Sequence, residues 1–285
     1  MSALLAIDGD SFAHRAYHAL PKTIRRSGGR PAGAIVGFAN MVIRLWEAEQ
    51  PRAVLVAWDT LDQPTYRHEA FAGYQGGRAF DAALLEQLPL LPELARACGF
   101  AVARAPGYEA DDFLAAAAKS EEARGGTTIV ATSDRDAFQL ASETTTILQP
   151  VRGVSQLARI GPAEVRERYG VDPQQVPDFI ALRGDPSDRL PGARGVGPKT
   201  AADVLAQYGS LEAALEKGRF AAQAEELRLY RRIATLDASA PLPSLVDQSP
   251  TWAEASDLVS SWELGNLAGR LEALAKAGAD SRSSS

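Results

Sequence analysis

Short apolar runs that stop at an aspartate recur along the first half of the chain. Leu4 to Ile7 ends at Asp8, Ala53 to Trp58 at Asp59, and Thr127 to Ser133 at Asp134. Each run is apolar or β-branched at its centre and bounded by turn-forming residues. This is the pattern of strands buried on both faces of a parallel sheet. Residues 101–105 and 145–148 are weaker strand candidates. Between the runs the apolar positions take a helical spacing, at Ile35, Phe38, Val42 and Leu45 and again at Phe113 and Ala117. Such alternation predicts an α/β core over residues 1–160 with crossover helices.

Two stretches break the alternation. From Thr60 to Gln87 the chain is rich in aromatics and glycine, with Arg67 and Arg78 among them and poor periodicity. It reads as an excursion from the sheet at about 60–95, and Pro89 and Pro92 blur the helix that follows. From Gly161 onward short helices and Pro/Gly turns take over, at 162–169, 176–182, 199–208 and 211–217. A small helical domain is expected over 161–276. The pattern fades after Thr235, and the Ser-rich end, 277–285, is expected to be disordered. No internal repeat is present.

Composition narrows the class. The chain has 285 residues, 46% hydrophobic and 23% charged, enough to bury a sizeable core. Mean hydropathy is −0.15, and no apolar run approaches the ~20 residues that span a bilayer. Ala3 to Ile7 is too short for the core of a signal peptide. The single cysteine, Cys98, excludes an internal disulfide or a thiolate metal cluster, so a reduced, cytoplasmic setting is expected. His14, His18 and His68 leave little material for a histidine metal site. The net charge of −6 argues at first against a nucleic-acid partner.

The acids revise that argument. An aspartate after a strand is ordinarily a helix cap, but Asp8, Asp59 and Asp134 come from distant parts of the chain to one sheet edge. In an open parallel sheet, ligands bind at that edge. Glu109, Asp111 and Asp112 follow in Gly107-Tyr108-Glu109-Ala110-Asp111-Asp112, which opens a helix. Their spacing puts Glu109 and Asp112 on one face with Asp111 to the side. Acids favour a helix start, yet three in four positions repel without a cation. Asp136 stands two residues after Asp134, and Asp185 and Asp188 share a turn that alone would be an ordinary Asx turn. Nine carboxylates without His or Cys suit hard cations, Mg²⁺ or Mn²⁺, and are too many for one ion. Two ions could stabilise both oxygens of a phosphodiester displacement. Without these nine acids the charge is 30 − 27 = +3, and the objection to nucleic acid weakens.

A second signal is Leu190 to Ala201, in which Gly195 and Gly197 frame Val196 ahead of Pro198, Lys199 and Thr200. Such a loop exposes backbone N–H groups to a phosphate at a helix start and has the pattern of a helix–hairpin–helix clamp, expected near 184–208. An ordinary Gly-Pro turn is the plain alternative. A P-loop is set aside because Pro198 breaks its spacing and no strand precedes it. In the excursion, Tyr66, Arg67, His68, Phe71, Tyr74, Arg78 and Phe80 mix aromatics with cations, which can stack bases and hold phosphates or simply cover a core edge.

These blocks resemble the 5′-nuclease or flap endonuclease family, closest to the bacterial branch that includes the 5′→3′ exonuclease domain of DNA polymerase I. The blocks IDGDSFAHRAYHAL, VAWDT, YRHEAFAGY, GYEADD, TSDRDAFQL and GDPSDRLPGARGVGPKTA run in family order from residue 4 to about 210. The resemblance implies a PIN-like α/β core with a helical arch, a helix–hairpin–helix domain, and metal-dependent cleavage of DNA at 5′ flaps, nicks and 5′ ends in replication and repair. It implies that Asp8, Asp59, Glu109 and Asp111 resemble a first metal group. Asp134, Asp136, Asp185 and Asp188 resemble a second, with Asp112 nearby. Asp8, Asp59, Glu109, Asp111, Asp134 and Asp136 are expected to be catalytic. It also implies DNA contacts at Arg67, Tyr74, Gln75, Arg78, Gly195, Gly197, Lys199 and Thr200, and a monovalent cation such as K⁺ at the hairpin. No polymerase sequence follows, so a stand-alone, monomeric nuclease is expected. Two departures stand out. Gln75 occupies a position that is usually lysine and cannot supply its charge. Ala79-Phe80-Asp81 replaces the Pro-rich start of the next arch helix. A DNA-binding protein with weak catalysis and a PIN-type ribonuclease are the alternatives. A dehalogenase-type phosphatase fails on Phe12.

Overall fold

The computed structural model describes residues 2–60, 63–76, 80–152 and 156–283. Strand β1 (Leu4–Asp8) leads into α1 (Gly9–Ala19), a small hairpin of β2 (Arg25–Arg26) and β3 (Arg30–Pro31), α2 (Gly33–Glu49) and β4 (Ala53–Ala57). The excursion follows with α3 (Tyr66–Ala70) and α4 (Ala82–Leu85). Then come α5 (Leu90–Ala97), β5 (Ala101–Ala103), α6 (Ala110–Ala123), β6 (Thr128–Ala131), β7 (Thr145–Arg152) and β8 (Gln156–Ile160). The second half holds α7 (Pro162–Tyr169), α8 (Val176–Arg183), α9 (Pro198–Tyr208), α10 (Leu211–Glu216), α11 (Ala224–Ala234), α12 (Trp252–Ser261) and α13 (Gly265–Ser283).

The six-stranded sheet has the order β5-β4-β1-β6-β7-β8, parallel throughout except for β8, which returns antiparallel to β7. The five strands expected from the sequence all form. β8 was not expected, because Gln156 and Arg159 are exposed and only Ile160 is fully buried. β1 explains the layering. All five of its residues are buried, and alternate side chains enter opposite cores. Leu4 and Ala6 pack with α6 and α8–α11, and Leu5 and Ile7 with α1, α2, α5, α12 and α13.

The packing runs across the two halves of the chain. The helices α8–α11 do not enclose a core of their own but share one with the α6 face of the sheet. Helices α12 and α13 leave the helical half and cover the opposite face, through Trp252, Val259, Leu267 and Leu271. α13 continues to Ser283, so most of the expected disordered tail is helical. The excursion also ends earlier than 95, since α5 buries Leu91 and Leu94 in the core. Among the described residues no helix is long and apolar enough to cross a membrane.

Both legs of the excursion are fastened down. On one side, Arg67 of α3 pairs with Asp112 of α6. On the other, Asp81 accepts from Tyr17 Oη, Glu86 accepts from Arg26 at 2.9 Å, and Gln87 Oε1 caps α2 by accepting from Ala34 N at 2.8 Å.

Candidate active site

The carboxyl edge of the parallel strands opens onto a cavity of about 640 Å³. Asp8 ends β1, Asp59 follows β4, and Glu109 and Asp111 come from the start of α6. Asp134 and Asp136 follow β6, and Asp185 comes from the turn after α8. All seven line this cavity. Asp10, outside the expected set, lines it too and accepts from Asp59 N at 2.7 Å. Its signal was visible in Asp8-Gly9-Asp10, where it was masked by the more obvious strand-end acid.

Local hydrogen bonds fix these groups. Asp8 caps α1 by accepting from Ser11 N at 2.9 Å, and its other oxygen accepts from Thr132 Oγ1 at 2.7 Å. Asp59 accepts from Ala110 N at 2.7 Å, and Asp134 from Asp136 N at 2.9 Å. The two oxygens of Glu109 accept from Thr65 Oγ1 at 2.8 Å and Tyr74 Oη at 2.9 Å. Asp185 accepts from Ser187 N at 2.7 Å, forming the Asx turn that sequence alone suggests.

Burial, and after it the crowding of acids, raises their proton affinity. Burial, and then the carboxylates of Asp59 and Asp134, push Asp8 up to about 7 against the lowering effect of its hydrogen bonds. Burial pushes Glu109 up to about 7 although Arg67 opposes it. Asp10, Asp111 and Asp136 are held well above the ordinary carboxylate range, by burial first and by neighbouring acids second. Oδ1 of Asp111 is buried with no hydrogen-bond partner. Among the described residues no three His, Cys, Asp or Glu side chains already close on one point as a ready-made metal site. The fit to a hard cation therefore rests on the all-oxygen donor set and the unpartnered Asp111 oxygen, and these residues do fit one.

Two expected ligands lie off the cavity wall, and only Asp112 is turned away from it. Asp112 is fully buried, and its carboxylate takes a bidentate pair from Arg67 at 2.7 and 2.8 Å and a bond from Asp237 N at 2.8 Å. It also accepts from Glu109 N at 3.1 Å, as the third helical residue of a capping box. The helical spacing misled here because Glu109 is the N-cap and lies outside the helix. Asp111, expected to point aside, faces the cavity instead. Asp188 is not among the acids that line the cavity, but it sits beside them: its charge raises the proton affinity of Asp136, and the cavity-lining Gln75 donates to it through Nε2 at 3.1 Å.

The expected DNA contacts divide similarly. Arg67 is 2% exposed and Tyr74 3%. Arg67 donates to Ile233 O as well as to Asp112, so both side chains face inward in this structure. Gln75 lines the cavity, with its amide also donating to Tyr74 Oη at 2.9 Å. Arg78 lies outside the described residues. Gly195, Gly197, Lys199 and Thr200 are exposed around the start of α9. Gly195 needs glycine for its φ of 74°, whereas a side chain at either glycine would meet no protein atom within 4 Å. Around this turn, the glycines that close packing demands are Gly184 and Gly192. A Cβ on Gly192 would come within 2.4 Å of Gly184 N.

Residues 3–170 match the family described as 5′-3′ exonuclease, N-terminal resolvase-like domain, and residues 171–256 that described as 5′-3′ exonuclease, C-terminal SAM fold. DNA polymerase I of Mycobacterium leprae is 44% identical over 211 residues, 73% of this chain and 23% of that protein. The thermostable DNA polymerase I of Thermus aquaticus is 38% identical over 249 residues, 84% of this chain and 29% of that protein. The chain thus spans less than a third of the length of these relatives. Among solved structures, T5 5′-exonuclease with bound zinc superposes with a TM-score of 0.69 at 16% identity, covering 94% of this chain and 96% of that one. The catalytic core of Rad2 with DNA substrate gives 0.56 at 18% identity, covering 93% and 89%. These structures share the fold. With both family segments matched in succession around a carboxylate-lined sheet edge, the chain belongs to the 5′-3′ exonuclease family.

Proposed function

We propose that the protein is a divalent-metal-dependent, structure-specific 5′-nuclease that hydrolyses DNA phosphodiesters at 5′ flaps and 5′ ends, serving replication and repair. The observation that carries this reading is the convergence of eight acids with oxygen-only donors on one cavity at the carboxyl edge of the sheet. Asp8, Asp59, Glu109 and Asp111, with Asp10, would hold one group of cations. Asp134, Asp136 and Asp185, with Asp188, would hold another. Mg²⁺ or Mn²⁺ suits them best. Such ions, when bound, supply Lewis acidity toward phosphate oxygens and lower the pKa of water. The chain itself orients the ligands: Thr132 and Ser11 hold Asp8, and Thr65 and Tyr74 hold Glu109. The exposed turn at Gly195 to Thr200 offers backbone N–H groups to a duplex phosphate away from the reacting bond, with K⁺ as a candidate bridge. The zinc bound by T5 5′-exonuclease and the DNA substrate bound by the catalytic core of Rad2, two proteins that share this fold, support the same assignment. A cytoplasmic setting belongs to this reading, with Cys98 a buried thiol.

The test is cleavage of a labelled 5′ flap, a nicked duplex and single-stranded DNA in Mg²⁺, Mn²⁺ and EDTA. Cleavage of the flap and of the 5′ end at the nick, abolished by EDTA and by Asp134→Ala, is expected. The Asp134→Ala variant should still bind the flap, since it loses a negative charge near phosphate. Cleavage that persists in EDTA, or wild-type turnover by the variant, would remove the carboxylates from the chemistry.

A further inference from the structure

The acid-lined cavity carries fixed cations of its own. Among its described lining residues are eight acids and two arginines, Arg135 and Arg183. Arg135 is exposed. Arg183, the last residue of α8, is held on several sides and its side chain is 19% exposed. Its guanidinium lies 5.5 Å from the Tyr169 ring centroid and 5.2 Å from that of Phe179. Those two rings are themselves stacked, 4.9 Å apart and 19° from parallel. Nη2 donates to Asp185 at 3.2 Å, and Nε is buried with no hydrogen-bond partner. The turn that follows is equally constrained, because Gly184 and Gly192 meet backbone to backbone.

A guanidinium carries five donors in a rigid fork suited to phosphate. Here aromatic faces and a carboxylate fix its plane, and its charge is set against the cavity. The same cavity is lined by Gln75, a neutral amide. Pre-positioned charge of this kind stabilises negative charge as it develops on a phosphate, with no reorganisation at the moment of reaction.

We propose that Arg183 binds a non-bridging oxygen of the DNA phosphate held at the carboxylates, supplying the fixed positive charge that Gln75 does not. This assignment rests on the nuclease reading above. Arg183 is then a phosphate-binding residue of the reaction, and its pairing with Asp185 sets its aim.

Single-turnover cleavage of a saturating flap substrate tests it, with Mg²⁺ titrated for each variant. Arg183→Met keeps the stem on the rings and removes the charge. It is expected to slow cleavage about 100-fold at saturating Mg²⁺, with the Mg²⁺ midpoint unchanged. Arg183→Lys keeps stem and charge but loses the fork; it is expected to recover part of the rate at the same midpoint. It also serves should the methionine variant not fold. Added methylguanidinium should speed the Arg183→Ala enzyme. Mn²⁺ binding followed by calorimetry without DNA should be unchanged or tighter in all three. A rate that returns to wild type when Mg²⁺ is raised, or Mn²⁺ binding that weakens in step with the rate, would overturn the proposal. Arg183 would then act through Asp185 on the cations. Wild-type cleavage with an unaffected Arg183→Met overturns this proposal alone. A wild-type protein that leaves every DNA intact overturns the nuclease reading and this proposal with it.

Discussion

At the scale of single residues, most of the cavity carboxylates have two jobs. Asp8 caps a helix, Asp59 satisfies the first N–H of α6, and Asp185 closes a turn, yet all three face the cavity. The cost of that placement is electrostatic. Asp8 and Glu109 are pushed up to about 7, so the folded state binds protons that the unfolded chain releases at ordinary carboxylate values. Their protonation stabilises the fold fully at acid pH, and the contribution is lost as pH rises through about 7. In EDTA the melting temperature should fall between about pH 4 and pH 7 and level off above. Mn²⁺ added at the alkaline end should restore it. A flat profile in differential scanning fluorimetry would contradict the crowding described here. Gln75 invites a second measurement. It already occupies the left-handed region at φ 47°, so lysine brings no new backbone strain. Gln75→Lys should raise single-turnover flap cleavage, by less than the ~10²–10³ carried by one electrostatic donor. An unchanged or slower rate would show that this side chain does not reach the reacting phosphate.

The secondary-structure elements show what sequence can and cannot reveal. Strands ending in aspartate were legible because burial on both faces leaves an uninterrupted apolar run. The helices from Pro162 to Glu216 were legible from Pro and Gly punctuation. The partnership of Arg67 with Asp112 was not, since nothing local marks two residues 45 positions apart as a pair. It consequently passed for a DNA contact and a metal ligand. Both side chains are buried, so removing one leaves an unpaired charge. Arg67→Met should cost ~3–5 kcal/mol in denaturant unfolding, and the double variant Arg67→Met/Asp112→Leu should recover much of it. Equal losses in single and double variants would argue against a dominant pair. At the hairpin, Gly197 has φ −95° and free space around its Cβ position. Gly197→Val should leave the melting temperature and Mn²⁺ uptake intact while weakening duplex binding. Retained duplex affinity in a binding titration would remove this turn from the DNA interface.

For the whole molecule, the docking of α12 and α13 was the least legible feature. Trp252, Val259, Leu267 and Leu271 read as ordinary helix positions, and nothing in their spacing names the sheet face they cover. The stretch between α11 and α12 carries the chain back to the sheet, tied by Arg52 to Leu245 O at 2.7 Å and by Gln248 to the backbone of Val54 at 2.8 Å. Truncation after Pro250 should therefore cost the cooperative unfolding transition seen by circular dichroism; a sharp transition at an unchanged temperature would show the two helices to be dispensable. The same arrangement has a consequence for biosynthesis. The apolar face around Leu5, Ile7 and Phe38 is made early, but part of its cover lies more than two hundred residues later. While the ribosome is still translating, that face stays partly wet, and the strand ends that carry Asp8 and Asp59 lack their final support. The carboxylate edge therefore gains its full backing only once α12 and α13 have emerged and docked.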